Sequence, residues 1–254
     1  MNATLDCFSG LEKKPSPDGR KIAICTPFYN YSGNSKYIAS LFQTTWFLAR
    51  YTNLEFDFWD INGDAYVWRA RNAYAKKLLE SDFTEIFFID SDESWTIEGF
   101  LSILLRDVPI VGAAYPCKNN WDFYSCLIDC DDNGYPVVTP DGLIEAKRGI
   151  VPTGFMKIKR EVFEKLAETF PDSYYDGTVN EKVERTMNFF GHLLEEHVPY
   201  GEDTSFCVRC RRAGIPLYVD PNITINHYGM KAWTGNYHDY LMQQPRHDEA
   251  KGEA

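Results

Sequence analysis

The sequence predicts an α/β fold: a Rossmann-like, mostly parallel sheet with helices on both faces and a smaller C-terminal β region. Three observations carry that prediction. Ile86, Phe87, Phe88 and Ile89 form an unbroken apolar run, the pattern of a strand buried on both faces, and it stops abruptly at Asp90, Ser91 and Asp92. On either side of it, short apolar stretches alternate with amphipathic segments of helical length, from residue 22 to residue 115. Past residue 116 the texture changes to short β-like pieces divided by turn residues.

Taken in order, residues 1–20 are polar and marked by Pro and Gly, and read as an arm. Ile22 to Thr26 is a strand closed by Pro27. Residues 34–50 read as a helix with Tyr37, Ile38, Leu41, Phe42, Thr45 and Leu48 along one side. Leu54 to Trp59 is a second strand, ending at Asp60, and residues 65–80 form the next helix. The Asp90 strand, a helix over 95–105 and a strand from Val108 to Tyr115 complete a βαβαβαβ series, which implies parallel, right-handed crossovers. Asp131 to Gly134 and Asp141-Gly142 mark hairpin turns within 121–153. A strand over 154–159 and a helix over 160–169 follow. Residues 170–200 show no period and suggest a mobile loop. Glu202 to Ala213 is helical, Pro216 to Val219 and Ile223 to His227 are strands, and the last dozen residues read as a frayed tail.

At 254 residues and 44% hydrophobic, the chain has enough apolar material for one large domain over 21–230, flanked by the arm and a C-terminal lid or tail over 231–254. A net charge of -11 argues against a broad grip on nucleic acid. Lys147, Arg148, Lys157, Lys159 and Arg160 would at most form a local basic groove, and ordinary solvated surface is the simpler reading. Seven cysteines do not make a full disulfide framework. Cys126, Cys130, Cys207 and Cys210 lack the context of a zinc knuckle, so buried thiols are expected. The first residues carry no basic and apolar signal pattern, and no apolar run approaches the length of a membrane span. The chain reads as soluble and cytoplasmic.

Open α/β sheets take ligands at the carboxyl ends of their strands. Two aspartates there must be solvated, hydrogen-bonded or holding a cation. In extended backbone, residues i and i+2 point the same way, so Asp90 and Asp92 are expected to converge on Mn²⁺ or Mg²⁺. A polar turn ending the strand is the alternative.

Four ordered segments between residues 20 and 230 resemble a glycosyltransferase of the GT-A type, similar to family-2-like enzymes and to Anp1-type mannosyltransferases. They are Ile24 to Asn30; Arg69 to Asn72 with Ile86 to Asp92; Pro152 to Met156; and Gly201 to Phe206 with Asn226 to Gly229. The resemblance implies a nucleotide-binding half over 21–116, an acceptor half over 117–230, and a nucleoside-diphosphate sugar, UDP-linked, as donor. Thr26, Pro27 and Tyr29 would cradle the nucleoside. Asp60 would accept from base or ribose, and Arg71 and Asn72 would face the nucleotide, with Arg71 pairing a phosphate. Asp90-Ser91-Asp92 matches the family's DXD motif, with Asp90, Asp92 and His227 about the metal and Gly154 backing the donor sugar. Glu202 and Asp203 match the acidic pair that holds the base of inverting members, Asp203 being favoured; retaining members also place acids here without using them as a base, so the stereochemistry stays open. Lys231 and Trp233 would close over the diphosphate. The acceptor class stays open, from a glycan, protein or small molecule to a hydroxylated base in DNA, and so does hexosyl against pentosyl transfer. The rivals are a haloacid-dehalogenase-like phosphatase, whose Asp-x-Asp sits on the first strand, a sugar-nucleotide pyrophosphorylase, whose Gly-rich, Arg-containing opening loop this sequence lacks, and a non-catalytic carbohydrate-binding domain.

Overall fold

Apolar residues at alternate positions of the central strands face opposite ways, and the helices cover both faces accordingly. The computed structural model describes residues 19–118, 123–179, 182–229 and 232–243. The first half runs β1 (Lys21–Phe28), α1 (Ser35–Tyr51), β2 (Glu55–Asn62), α2 (Val67–Leu79), β3 (Glu85–Ile89), β4 (Glu93–Ser94), α3 (Ile97–Leu105) and β5 (Ile110–Gly112). The second runs β6 (Ile144–Glu145), β7 (Phe155–Lys159), α4 (Arg160–Thr169), β8 (Tyr174–Val179), β9 (Lys182–Met187), β10 (Leu194–Glu195), β11 (Val198–Pro199), α5 (Glu202–Arg212), β12 (Tyr218–Val219), β13 (Thr224–Tyr228), β14 (Ala232–Asn236) and α6 (Tyr237–Gln243).

Seven strands form the central sheet in the order β2-β1-β3-β7-β5-β12-β6. β1 is parallel to β2 and β3, and β5 to β12. β7 runs antiparallel between β3 and β5, and β6 antiparallel to β12. Five of the seven strands therefore share one direction, as the sequence predicts of a mostly parallel sheet. The expected uninterrupted βαβαβαβ sheet is corrected at one point: β7, from much later in the chain, is inserted between β3 and β5.

All five residues of β3 are buried. Ile86 and Phe88 pack with Tyr74 and Leu78 of α2, Phe163 of α4 and Phe206 of α5. Phe87 and Ile89 pack on the other face with Tyr37 of α1 and Phe100 of α3. Each of these strand side chains contributes about 1.5–3 kcal/mol by leaving water, which is why the run contains no polar residue until the rim. Asn34 caps α1 by accepting from the Lys36 amide, and Thr96 caps α3 by accepting from that of Gly99.

Several expectations change. The buried side of α1 is Tyr37, Ser40, Thr44 and Leu48, whereas Ile38 and Phe42 are exposed. Polar contacts decide this: Tyr37 hydroxyl meets that of Thr26, Ser40 donates to the Trp95 carbonyl, and the Trp95 indole donates to Thr44. Residues 170–200 are not an irregular loop but contain two hairpins, β8–β9 and β10–β11. The first is fastened to α2 by Lys76–Glu184 and by Trp68 against Tyr175. Residues 232–243, assigned to a lid or tail from sequence, form β14 and α6. β14 extends a separate sheet, β14-β13-β4, in which His227 registers with Glu93. The arm up to residue 18, the tail from 244, and Lys231 lie outside the described residues.

The basic groove does not form: Lys157 is fully buried, and Arg148, Lys159 and Arg160 pair with Asp129, Asp107 and Glu164. Cys126, Cys207 and Cys210 are buried free thiols, while Cys130 is exposed. Among the described residues no helix is long and apolar enough to cross a membrane.

Candidate active site

The strand that carries the acids ends in a turn, and the turn sets where each acid looks. Asp90 donates its amide to the Gly154 carbonyl at 2.8 Å, and the Glu93 amide bonds back to the Asp90 carbonyl at 3.2 Å. Ser91 and Asp92 are thus turn residues, and the same-side rule for extended backbone does not apply to them. Asp90 faces Arg71, whose Nη2 donates to Oδ1 at 3.0 Å. Asp92 has other partners: its Oδ1 lies 3.6 Å from His227 Nε2, and its Oδ2 pairs with the Lys118 ammonium. The Tyr228 amide bonds the Asp92 carbonyl at 2.7 Å, holding β13 against this turn. His227 therefore reaches Asp92 from the small sheet, not from the central one.

His227 Nδ1 lies 2.9 Å from the Pro116 carbonyl. That contact places the ring proton on Nδ1 and turns the Nε2 lone pair towards Asp92. Burial, with Lys118 nearby, lowers the imidazole pKa, so the ring is neutral at pH 7. A neutral imidazole anchored to a backbone carbonyl beside a carboxylate is a ligand pair suited to Mn²⁺. The expected trio is not assembled: among the described residues no three His, Cys, Asp or Glu side chains converge closely enough to enclose an ion. Asp92 and His227 fit a divalent cation as two ligands, leaving its other positions to water or phosphate oxygens. Asp90, in the same cleft wall as Asp92, is paired with Arg71.

Arg71 is 2% exposed, so it braces Asp90 and is not open to a phosphate, contrary to the expectation from sequence. Its Nε and Nη1 have no hydrogen-bond partner, and its charge is balanced by Asp90, Asp203 and Glu202 around it. Asn72 is likewise structural. Its Oδ1 accepts from the amides of Phe189 and Phe190 at 2.9 and 3.0 Å.

Carboxylates crowd this rim. Glu93 is fully buried and neither of its oxygens has a partner; burial, then Asp90 and Asp92, push its pKa well up. Burial also raises Asp90, with Arg71 opposing. Asp203 accepts a hydrogen bond from Thr153, and burial with Glu202 alongside lifts it to about 7. Gly154 sits where no larger residue fits: a Cβ there would lie 2.5 Å from Glu93 Oε1, 2.6 Å from the Tyr115 hydroxyl and 2.9 Å from Asp90 Oδ2. The Gly154 amide donates to that Tyr115 hydroxyl at 3.2 Å.

A cleft of about 290 Å³ opens over this rim, and Pro27, Tyr29, Asp64, Asp90, Asp92 and Glu202 are among its walls. Ser91 also lines it. Tyr29 is 71% exposed. Thr26 is not in the wall: it is buried, its hydroxyl on Tyr37 and its carbonyl accepting from Tyr74. Asp60 is exposed near the end of β2 and accepts from the side-chain Nδ2 of Asn62. Glu202 faces the cleft while Asp203 is turned to Thr153. Glu93, Lys118, Tyr115 and Thr153 escaped the sequence reading. For Glu93 the signal was present, a third acid directly after the Asp-Ser-Asp turn. Lys118, Tyr115 and Thr153 reach the site through pairings that no local pattern announces.

No protein-family model matches the chain, and no curated protein matches it. Among solved structures, the catalytic domain of Drosophila beta1,4-galactosyltransferase 7 in complex with xylobiose is similar at 17% identity and a TM-score of 0.46, over 80% of this chain and 66% of that one. A mutant of the same Drosophila enzyme with manganese, UDP-Gal and xylobiose is similar at 15% identity and a TM-score of 0.46, over 92% and 80%. Likeness at this level assigns no activity, and the chemistry comes from the chain's own side chains.

Proposed function

We propose that this chain is a metal-dependent glycosyltransferase of the GT-A type, moving a sugar from a nucleoside-diphosphate donor, UDP-linked, to an acceptor hydroxyl. One observation carries the reading: five acids gather at the sheet rim, Asp90, Asp92, Glu93, Glu202 and Asp203, against two cations, Arg71 and Lys118. Such a cluster is stable when a divalent cation supplies the missing positive charge. The ordered motifs agree with that reading.

Asp92 and His227 would hold Mn²⁺ or Mg²⁺. When bound, the cation stabilises the negative charge that builds on the departing diphosphate. Arg71 fixes the Asp90 carboxylate, and Gly154 keeps the rim thin enough for Asp90, Glu93 and Tyr115 to meet. Pro27 and the exposed Tyr29 offer a surface to the nucleoside, and Asp60 an acceptor for a ribose or base donor. Asp203 takes the proton of the acceptor hydroxyl. Its pKa of about 7 matches a base working near neutrality, and Glu202, on the cleft wall, helps to keep it there. Residues 21–116 are thereby the donor half and 117–230 most of the acceptor half.

The test is a thermal-shift titration of UDP-sugars with and without Mn²⁺, repeated on Asp92→Ala. The native chain is expected to gain stability from metal and donor together. The variant should fold, lose that response, and lose donor turnover by orders of magnitude. A folded Asp92→Ala chain with a normal Mn²⁺ response and turnover would overturn the cation site.

A further inference from the structure

A second cleft, of about 300 Å³, lies beyond His227, lined by residues of β14 and α6 together with Pro116 and Tyr124. Its walls combine aromatic rings, Tyr124, Trp233 and Tyr240, with the polar side chains of Asn236, Asp239 and Gln243. The three rings are half-buried, and Asp239 and Gln243 are exposed. Tyr124 and Tyr240 lie 4.8 Å apart at their centroids, braced by the buried Tyr237 at 5.1 and 5.9 Å. The aromatic wall is thus preorganised. Asn236 is committed to the frame: it donates to the Asn222 carbonyl at 3.3 Å and accepts from the Asp239 amide at 3.2 Å.

This cleft adjoins the cation pair through two direct links. Pro116 walls it while its carbonyl holds His227 Nδ1. Trp233 registers with His227 across the hairpin, and a Cβ on Gly229 would meet both the Trp233 ring, at 3.0 Å, and the Lys118 side chain, at 3.3 Å. Lys118 in turn pairs with Asp92. A ligand in the second cleft would therefore lie next to His227 and Lys118, the neighbours of Asp92.

Aromatic walls with exposed planar acceptors match one ligand chemistry well. A pyranose ring has an apolar C–H face that packs on an aromatic ring, and a rim of hydroxyls for carboxylate and amide groups. The Asp239 carboxylate accepts from hydroxyls and repels anions. The volume is at the lower end for small-molecule sites, about 300 Å³, which suits one sugar ring. We infer that this cleft binds a neutral pyranoside, seated on Tyr240 and Trp233 with its hydroxyls at Asp239 and Gln243, and that this sugar is the acceptor. The acceptor role rests on the transferase reading; the binding does not.

The test is saturation-transfer NMR on the full chain with methyl glycosides of glucose, galactose, mannose and xylose at millimolar concentration. The native chain is expected to give contact to one of them. Gln243→Ala and Tyr240→Leu should weaken it roughly tenfold while the unfolding midpoint stays close to native. Asp239→Asn should weaken it less, since an amide still accepts from a hydroxyl. Donor binding is measured on the native chain alongside. Donor binding without any glycoside contact, or contact indifferent to Gln243 and Tyr240, overturns this site and leaves the transferase reading standing. Glycoside contact that these variants abolish, with no metal-dependent donor binding, keeps the site and removes the transferase.

Discussion

Replacing Asp203 by asparagine should make the chain relatively more stable as the pH rises, by an amount that follows from where the carboxyl sits. Burial and the neighbouring Glu202 raise its pKa from 3.8 to about 7. A raised carboxyl pKa means that the folded chain holds the proton more tightly than the unfolded chain. The stabilisation this gives is complete below the unfolded pKa and is lost as pH rises through the folded one. At 1.36 kcal/mol per unit, roughly 2 kcal/mol is gone by about pH 5 and roughly 4 by about pH 8. Asparagine is near-isosteric, keeps an oxygen for the Thr153 hydroxyl, and does not ionise. The difference in unfolding free energy between variant and native should therefore widen in favour of the variant by roughly 2–3 kcal/mol over that span. Urea unfolding with a chelator present measures it directly. A difference that stays flat, or narrows towards alkaline pH, would refute the placing of a desolvated carboxyl beside Glu202. The same substitution should suppress sugar transfer while sparing donor binding.

Gly154→Ala forces a methyl between Glu93, Tyr115 and Asp90, and should cost about 1–3 kcal/mol in denaturant unfolding together with a weaker Mn²⁺ response. Lys118→Ala removes the ammonium that competes for Asp92, so calorimetry should show tighter Mn²⁺ binding; looser binding would mean that the lysine assists the cation. Asn72→Ala strands the buried amides of Phe189 and Phe190, and unfolding should register about 2–3 kcal/mol of lost stability.

The parts of the fold that were legible are those decided locally. β3 announces itself because both of its faces are covered, and the Asn-Gly and Asp-Gly turns at 134 and 142 because a positive φ favours glycine. α1 shows the limit: its length was legible but its buried side was not, because Trp95, more than forty residues on in the sequence, offers Ser40 and Thr44 the bonds that draw them inward. β8–β9 carries no periodic signal, since its strands pack by single contacts, Trp68 on Tyr175 and Lys76 on Glu184. In the site, the residue types at the rim could be read, but not their directions. The turn after Ile89 gives Asp90 to Arg71 and Asp92 to His227 and Lys118, and no composition or spacing distinguishes a turn from an extended Asp-Ser-Asp.

The inserted strand explains why the site exists where it does. A parallel sheet built only from β1, β3 and β5 would leave Asp90 at an open rim, free to take water. Placing β7 antiparallel between β3 and β5 brings its leading residues, Thr153 and Gly154, back to the carboxyl end of β3. The Gly154 carbonyl then fixes the Asp90 amide, and Thr153 reaches Asp203 at the start of α5. The same close approach desolvates Glu93 and Asp90, so the acids gather because an antiparallel strand closes over them. Anything bulkier than glycine at 154 would separate these groups. The demand for positive charge at the rim is therefore a consequence of the topology, not of the Asp-Ser-Asp segment alone.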